Sequence, residues 1–583
     1  MTMERPVGLR GKLTSYGDPE FALFLRRAFI KGAGYTDDSL DRPVVGIVDT
    51  RSAFNPCHGN VPQLIDAIRR GVLQAGGIAF EFPTISLHES FSYPTSMFLR
   101  NLMSMDTEEM IQALPVDSVV LIGGCDKTVP AQLMGAVSAN KPAIQLVTGS
   151  MLTGSYEGRR VGACSDCRYF WGEYRAEVMT ASEINRVNSN LVGSVGTCSV
   201  AGTASTMACL AEALGMALPG SATPPAVTAD RFRVAERTGK RAVELALEQL
   251  TPDQILSPAA FTNAFRILMA MGGSTNAIVH LAAVAGRAGF ALDLRELGRI
   301  GVQTPVLLDL KPSGDHYMED FHAAGGVPRL MQELVSLLDT KVMTVTGRTL
   351  AEEIDDYPAP FDQQVIRSVD DPLQNQGAIT VLYGNLAPDG AVIKRSTVSG
   401  NLMRHTGRAV VFDGVADMAE RIDRDDLDVS EEDVLVLKNI GPVGGPGMPE
   451  AGYIPIPKKL AIRGVRDMVR ISDGRMSGTA AGTIVLHIAP EAAVGGPLSL
   501  VRDGDQIEID VESGTINLAV PESELRQRSM SKPESSCAPA RGYAKLFHET
   551  VTQAEKGVDF DFLLSERVRG VVPCKTEQKV NND

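Results

Sequence analysis

Short runs of β-branched and other apolar residues alternate with amphipathic stretches along the first two thirds of the chain. Four runs predict buried strands, at residues 43–49, 79–86, 117–122 and 143–147. Three stretches between them have the polar and apolar spacing of helices, at residues 63–75, 107–113 and 131–139. Because strands that alternate with helices form mostly parallel sheets covered on both faces, the pattern predicts an N-terminal α/β/α domain.

The pattern changes after about residue 373. Short apolar runs separated by Gly, Asp and Pro follow, among them AITVLYGNL, AVVFDG, DVLVLKNIG and DQIEIDVESGTINLAV, and long helical stretches are scarce. Many short strands of this kind are typical of all-β architectures such as barrels. We therefore expect an α/β domain at residues 1–370 and a mainly β, barrel-like domain at residues 371–583, joined within DDYPAPFDQQVIRSVDDP.

Residues 261–290 form the most apolar stretch of the chain. Polar, charged or glycine residues interrupt it at Arg266, Gly272, Gly273, Asn276, His280 and Arg287. A membrane span needs about 20 consecutive apolar residues, so the stretch predicts a buried helix instead. The N-terminus, MTMERPVGLRGKLTSYGDPEF, lacks the apolar segment of a signal peptide.

The composition indicates which binding partners and which cellular compartment are compatible with the chain. The 583 residues are 44% hydrophobic and 22% charged, which is ordinary for a globular protein, and the formal net charge is −15. An acidic surface disfavours nucleic acid and anionic membranes, since both attract clustered Lys and Arg. Eight cysteines in a chain of this length indicate a reducing cytoplasm, where thiols stay free to bind metal.

Three cysteines lie where ligand sites of α/β sheets gather. Cys57 lies in NPCHGN beyond the first strand, Cys125 in VVLIGGCDK directly after the third, and Cys198 in the small-residue loop GSVGTCSVAGTAST before a helix. Three thiolates on an iron–sulfur cluster leave one iron with an open position, which can act as a Lewis acid. On spacing alone, buried structural thiols remain the alternative.

Carboxylates accompany these cysteines. Asp126 and Lys127 follow Cys125, Glu89 follows the second strand, and Glu450 follows the loop GPVGGPGMP. Carboxylates in such positions bind hard divalent cations such as Mg²⁺, although each acid taken alone is more often a cap or a salt-bridge partner.

A serine-containing turn, ISDGRMSGTAAGT, is the last candidate. Ser477 lies there among glycines, close to backbone N–H groups that stabilise an alkoxide or oxyanion. No Gly-x-Ser-x-Gly elbow surrounds it, so a hydrolase triad is not indicated. Taken alone, it would be an ordinary turn serine.

Taken together, these segments resemble the dihydroxy-acid dehydratase / phosphogluconate dehydratase family. The matching segments are NPCHGN, GGCDKTVPAQLMGA, GTCSVAGTASTMACLAEALGMALPG, GGSTNAIVHLAAVAGRAG, GPVGGPGMPE and SDGRMSGTAAG, in family order from about residue 40 to about residue 510. The resemblance implies a hydro-lyase. HESFSYPTSMFLRNLMSMDTEEMI and ACSDCRYFWGEYRAE are most similar to the sugar-acid branch, which dehydrates aldonates such as arabinonate or xylonate.

Carried over by position, the resemblance implies functional residues in both domains. Cluster ligands would be Cys57, Cys125 and Cys198; Mg²⁺ ligands would be Glu89, Asp126, Lys127 as its carbamate, and Glu450; Ser477 would be the catalytic base and Thr479 a substrate contact. The sugar-acid branch is associated with a [2Fe–2S] cluster and other members with [4Fe–4S]. Three cysteines permit either, and we expect [2Fe–2S]. The resemblance also implies a homodimer or homotetramer, with residues 261–290 contributing to an interface.

The implied reaction dehydrates a 2,3-dihydroxy acid. Mg²⁺ would bind the substrate carboxylate and 2-hydroxyl, the open iron would take the 3-hydroxyl, and Ser477 would remove the C2 proton, giving a 2-keto-3-deoxy acid. The nearest alternative is the branched-chain dihydroxy-acid dehydratase of amino-acid biosynthesis, whose pocket should be aliphatic instead of rich in hydrogen-bond donors. A non-catalytic iron–sulfur sensor is a second alternative. No G-x-G-x-x-G motif supports an NAD-dependent oxidoreductase.

The remaining cysteines include a C-x-x-C pair, Cys164 and Cys167. No second pair completes a four-coordinate zinc site, so we expect a structural or substrate-lining role. Cys209 is predicted to lie in the core. Cys537 and Cys574 receive no role.

Overall fold

The computed structural model describes residues 8–13, 16–530 and 538–565. The strands are β1 Val44–Asp49, β2 Ile78–Pro83, β3 Ser118–Gly123, β4 Ala143–Val147, β5 Gly154–Tyr156, β6 Arg159–Val161, β7 Thr380–Leu382, β8 Gly390–Ile393, β9 Arg404–Asp413, β10 Val434–Lys438, β11 Arg470–Ser472, β12 Ile484–Ala489, β13 Gln506–Asp510 and β14 Thr515–Leu518. The helices are α1 Pro19–Gly32, α2 Val61–Gln74, α3 Arg100–Ala113, α4 Thr128–Ala139, α5 Ser165–Arg175, α6 Ala181–Asn188, α7 Thr203–Ala213, α8 Ala229–Glu248, α9 Pro252–Ile255, α10 Pro258–Ala270, α11 Asn276–Ala288, α12 Leu294–Gln303, α13 Met318–Ala323, α14 Gly326–Glu333, α15 Leu350–Asp356, α16 Gly414–Arg421, α17 Lys458–Ile462, α18 Glu522–Met530 and α19 Gly542–Thr550.

Strands β1 to β4 form a parallel sheet in the order β2-β1-β3-β4. Every residue of β1, β3 and β4 is buried, as expected of parallel strands with helices on their faces. This confirms the predicted α/β domain, and the predicted strands differ from the observed ones by at most three residues at either end. The predicted helices begin earlier than expected. In α2, Pro62 extends the start because proline fits a first helical turn.

Strands β7 to β14 form a second sheet in the order β14-β13-β9-β10-β11-β12-β8-β7. Tyr383, next to β7, exchanges backbone hydrogen bonds with Gly514 and Ile516 at β14, so the two edges of this eight-stranded sheet meet. The predicted barrel-like domain is therefore confirmed as a nearly closed barrel. Its four central strands, β9 to β12, are parallel because segments that include α16 and α17 cross between them.

The apolar stretch at residues 261–290 is not one helix, as the sequence had led us to expect, but two. Helix α10 ends at Ala270 and α11 begins at Asn276. Gly272 takes a left-handed φ of 65° between them, a conformation that ends a helix. Both helices are buried in the main hydrophobic core, as predicted. In the described ranges, we find no helix with the length and apolarity needed to cross a membrane.

One hydrophobic core connects the two halves of the chain. It surrounds the N-terminal sheet and also includes Met476, Ala480, Ile484 and Leu486 from the C-terminal half. A separate core fills the barrel. The predicted boundary at residues 370/371 stays a prediction. It falls between α15 and β7.

Candidate active site

His58 connects the loops at the carboxyl ends of two neighbouring strands. Its Nδ1 donates to the Thr50 carbonyl (2.9 Å), and its Nε2 accepts from the backbone N–H groups of Gly124 (2.9 Å) and Cys125 (3.0 Å). Burial lowers the pKa of His58 to about 4, so the ring is neutral and Nε2 can accept. This bonding holds the loop after β3 against the loop after β1, where Cys57 lies.

Cys57 and Cys125 meet at these strand ends. Their sulfur atoms and a ring nitrogen of His88 all lie within 4.8 Å of one another. Hydrogen bonds from Cys125 and His88 lower the pKa of Cys57 to about 6, although burial opposes the shift. The same hydrogen bond to Cys57 raises the pKa of Cys125. The lowered pKa of Cys57 favours the thiolate form, which is the form that binds a metal.

Cys198 lies in a second thiol pair. Its sulfur is 3.3 Å from the sulfur of Cys164, and it is not part of the group around Cys57. The hydrogen bond to Cys164 and burial raise the pKa of Cys198, and the charges of Cys57 and Asp126 add to the rise. Sequence reasoning missed the contact with Cys164. Cys209 lies in the core, as predicted, whereas Cys537 and Cys574 lie outside the described residues.

Three carboxylates surround one buried lysine. Lys127 has a side chain with 0% exposure, and its Nζ forms ion pairs with Glu89 (3.4 Å), Glu450 (3.4 Å) and Asp126. Burial alone would lower the pKa of Lys127, but these carboxylates raise it above the ordinary value. Glu450 comes from the C-terminal half and the other residues from the N-terminal half. The group therefore exists only in the folded chain.

Further polar side chains orient the carboxylates. Glu450 accepts hydrogen bonds from Asn276 (3.1 Å) and Arg475 (3.1 Å), and Glu89 accepts one from Thr95 (2.6 Å). Burial would raise the pKa of Glu89, but the charges of Lys127 and Arg475 hold it at about 2. Sequence reasoning assigned no role to Asn276 and Arg475, although both lie in the motifs GGSTN and SDGRMSG.

Ser477 lies in the turn after β11. Its Oγ is 2.9 Å from Thr479 Oγ1, and the Thr479 backbone N–H points to it at 3.4 Å. The carbonyl of Gly478 accepts a hydrogen bond from Lys394 Nζ (3.3 Å). Lys394 is fully buried, and burial lowers its pKa to about 7.

Close packing brings this serine loop to the cysteine loop before α7. A Cβ at Gly202 would lie 3.0 Å from Thr479 Cγ2 and 3.5 Å from Cys198 Cβ, and a Cβ at Gly478 would lie 2.5 Å from Ser274 Cβ. The approach at Gly478 leaves no room for a Cβ, and the approach at Gly202 is tight. Thr479 therefore packs beside the Cys198 loop, and among the described residues no hydrogen bond links Ser477 to the carboxylates around Lys127.

A cavity of about 1140 Å³ opens beside Thr479. Its polar wall residues include Ser165, Asp166, Arg168, Lys311 and Thr479, and Cys167 also lines it. Asp166 accepts from Lys311 (2.8 Å). Arg168 stacks on the ring of Tyr453, 4.7 Å from its centroid, and among the residues that the structure describes it forms no ion pair. The cavity thus offers hydrogen-bond donors and acceptors beside the serine loop.

Two family models cover nearly the whole described chain. "Dihydroxy-acid/6-phosphogluconate dehydratase N-terminal" matches residues 42–353, and "Dihydroxy-acid/6-phosphogluconate dehydratase C-terminal" matches residues 364–558. The chain belongs to the dihydroxy-acid and 6-phosphogluconate dehydratase family. This confirms the family and the hydro-lyase class that the motifs predicted.

Relatives of this dehydratase include sugar-acid enzymes. The L-arabonate dehydratase of Azospirillum brasilense is 46% identical over 555 residues, 93% of this chain and 95% of that protein. The L-arabinonate dehydratase of Rhizobium leguminosarum bv. trifolii is 43% identical over 551 residues, 94% and 95% of the two chains. The dihydroxy-acid dehydratase of Acetivibrio thermocellus is 38% identical over 543 residues, 91% and 96%. The similarity to the sugar-acid branch is confirmed.

Proposed function

We propose that this dehydratase removes water from an aldonate to give a 2-keto-3-deoxy acid, using an iron–sulfur cluster, Mg²⁺ and a serine base. One observation carries the proposal. The consecutive residues Cys125, Asp126 and Lys127 connect the paired cysteine thiols to the carboxylates around the lysine. Cys125 Sγ also donates a hydrogen bond to Asp126 Oδ1 at 3.3 Å. Thiols suited to iron therefore lie next to carboxylates suited to a hard cation such as Mg²⁺.

The thiols fit a cluster. Cys57 and Cys125 lie side by side, Cys57 has a lowered pKa, and Cys198 lies in the neighbouring loop. Three protein thiolates leave one iron position for a substrate. The more similar relatives are sugar-acid dehydratases, and this supports a [2Fe–2S] cluster over [4Fe–4S] on the resemblance described above.

The carboxylates fit a hard cation. Three carboxylates, those of Glu89, Asp126 and Glu450, surround Lys127 Nζ. The lysine ammonium thus lies where a cation would bind between them. A divalent cation bound there would repel the ammonium group of Lys127, so we propose that this lysine binds Mg²⁺ as its carbamate. When bound, the cluster supplies a Lewis acid for the departing hydroxyl, and Mg²⁺ supplies charge that holds the substrate carboxylate.

Ser477 is the proposed base. Its Oγ can accept from both Thr479 donors, the hydroxyl at 2.9 Å and the backbone N–H at 3.4 Å. Two donors on one oxygen stabilise the deprotonated serine, which then takes the proton from C2 of the substrate. Lys394 holds the loop in place through the Gly478 carbonyl.

The sugar-acid relatives support an aldonate over a branched-chain acid, although apolar side chains such as Phe170 and Ile184 line much of the cavity. A substrate with several hydroxyl groups needs hydrogen-bond partners beyond C3, and Ser165, Asp166, Arg168 and Lys311 line the wall beside Thr479. Three of them already have partners in the protein: Lys311 donates to Asp166, and Ser165 donates to the Thr479 carbonyl. We propose that Arg168, which has no ion-pair partner among the described residues, contacts the distal hydroxyls.

A substrate panel tests the function. Protein purified without oxygen is incubated with Mg²⁺ and L-arabinonate, D-xylonate, D-gluconate or 2,3-dihydroxyisovalerate, and the 2-keto acid is measured as a carbonyl derivative. We expect product from at least one aldonate, with kcat/KM at least about tenfold above that for 2,3-dihydroxyisovalerate, a difference of about 1.4 kcal/mol.

The Ser477→Ala variant tests the role of this serine as the base. It should keep the visible absorption of the cluster and lose turnover by about 100-fold or more, the range of one general base. Product from 2,3-dihydroxyisovalerate alone would contradict the sugar-acid assignment. An active Ser477→Ala variant would remove this serine from the role of base.

A further inference from the structure

Four thiols at the proposed cluster site fall into two pairs. Cys57 and Cys125 belong to the group whose ligand atoms lie within 4.8 Å of one another. Cys164 and Cys198 have sulfur atoms 3.3 Å apart. When four cysteines hold a [2Fe–2S] cluster, each iron takes two thiolates. The chain therefore offers four thiols in two neighbouring pairs, with the charge of Cys57 acting on Cys198, although the function needs only three.

The spacing of the second pair fits two ligands on one metal. Two sulfurs on a tetrahedral metal, each about 2.3 Å from it, lie about 3.8 Å apart. The Cys164–Cys198 separation of 3.3 Å differs from this by a few tenths of an ångström, within reach of small side-chain rotations. Cys164 immediately precedes α5, whose N-terminus favours a thiolate.

We propose that Cys164 binds the iron held by Cys198 while the substrate site is empty and leaves it when the substrate enters. This inference rests on the proposed function, because it requires the cluster. In the exchange the sulfur–iron bond of Cys164 would break as a substrate hydroxyl oxygen bonds to the same iron; the thiolate keeps its electron pair, the oxygen donates its own, and no oxidation state changes. The open iron is thus covered between turnovers, when solvent and oxygen would otherwise reach it.

The surroundings of Cys164 provide a place for the released thiolate. Cys164 lies at the N-terminus of α5, and Cys167, the second cysteine of the C-x-x-C pair, lies in the first turn of that helix and lines the cavity. Ser165 Oγ donates to the Thr479 carbonyl at 3.0 Å, so the start of α5 is bonded to the serine loop. A substrate that contacts Thr479 therefore also lies against the segment that carries Cys164.

Spectra of the substrate-free protein test the inference. Wild type, Cys164→Ala and Cys164→Ser are purified without oxygen, and their visible circular dichroism and the electron paramagnetic resonance of the dithionite-reduced cluster are compared. We expect both variants to retain iron but to differ clearly from wild type, because one thiolate is lost. Cys209→Ala, a core cysteine away from the site, should keep the wild-type spectra, and Cys198→Ala should lose the cluster.

Alkylation of the wild-type protein gives a second measurement that needs no variant. Iodoacetamide labelling of Cys164, read by peptide mass spectrometry, should rise at least about fivefold when L-arabinonate and Mg²⁺ are added, since the thiolate is released. Identical substrate-free spectra in wild type and Cys164→Ala, or unchanged labelling despite turnover, would overturn the inference. Complete cluster loss in both Cys164 variants would also overturn it, because a displaceable ligand is not needed to retain the cluster.

These results separate the inference from the proposed function. The substrate-free spectra require no reaction, so they report on Cys164 even when no aldonate is dehydrated. Conversely, an enzyme that dehydrates an aldonate while Cys164→Ala has wild-type spectra would retain the proposed function without the fourth ligand.

Discussion

Lys127 and Lys394 are both fully buried, yet their surroundings act on their pKa values in opposite directions. Three carboxylates oppose the effect of burial at Lys127 and raise its pKa. At Lys394, burial acts without a carboxylate partner among the described residues, and the pKa falls to about 7. The chemistry of each lysine depends on its neighbours in space, which the local sequence does not contain.

The low pKa of Lys394 predicts a pH-dependent stability. Between pH 7 and 10.5 the unfolded lysine binds a proton that the folded one does not, so the free energy of unfolding should rise with pH by up to about 1.4 kcal/mol per pH unit from this group. Lys394→Met should lack this contribution. Urea unfolding of both proteins at pH 7, 8 and 9 measures it, and parallel stability curves would show that the lysine is not neutral when folded.

The sequence predicted the site residues that lie in family motifs, but not the contacts between distant residues. The family motifs contain all nine site residues proposed from the sequence, and the structure brings Lys127 to its three carboxylates and Cys57 to Cys125. No role was predicted for His58 or Lys394, and Cys164 was expected to be structural or substrate-lining, without its contact to Cys198. Each acts through a contact with a residue at least 34 positions away, for example Cys164 with Cys198. Neither periodicity nor motif spacing specifies such contacts.

At the scale of elements, the candidate site depends on four parallel strands that end at one edge. The loops after β1 and β3 carry Cys57 and Cys125, and the loop after β2 carries His88 and Glu89. Thr148, directly after β4, donates to the Cys57 carbonyl at 2.7 Å. Alternating strands and helices were sufficient to predict this arrangement, because carboxyl ends of parallel strands lie at the same edge.

Replacing His58 tests whether its hydrogen bonds hold the loops after β1 and β3 together. His58→Ala leaves the N–H groups of Gly124 and Cys125 buried without an acceptor, which should cost about 1–3 kcal/mol for each. We expect a clear decrease in the urea midpoint and in the iron content after purification. His548→Ala, at a partly exposed histidine of α19, should change stability by less than about 0.5 kcal/mol. A His58→Ala protein as stable as the His548→Ala protein would show that the loops do not depend on this side chain.

Element types were predicted better than their connections. The barrel strands were expected from short apolar runs, but the parallel pairing of β9 to β12 was not, since the pairing depends on crossover segments and not on the strands themselves. The break between α10 and α11 was missed because the stretch was interpreted by its hydrophobicity. Gly272 and Gly273 were noted as interruptions but not as a helix end.

At the scale of the whole molecule, the two halves complete one site. Glu450 from the C-terminal half pairs with Lys127, and the serine loop packs on the Cys198 loop. The C-terminal segment also returns to the N-terminal half. There Asp559 forms a fully buried ion pair with Arg287 of α11, and the Gly557 carbonyl accepts from Arg100. A site assembled from distant parts of the chain exists only after both halves have folded.

We propose that dehydration requires one cluster held by Cys57, Cys125 and Cys198. It is tested most directly by measuring iron, acid-labile sulfide and aldonate turnover on the same oxygen-free preparations of wild type, the three single alanine variants and Cys209→Ala. We expect about two iron and two sulfide per active chain, and joint loss of cluster and turnover in each of the three variants but not in Cys209→Ala. Full turnover in protein without iron, or in Cys125→Ala, would contradict it.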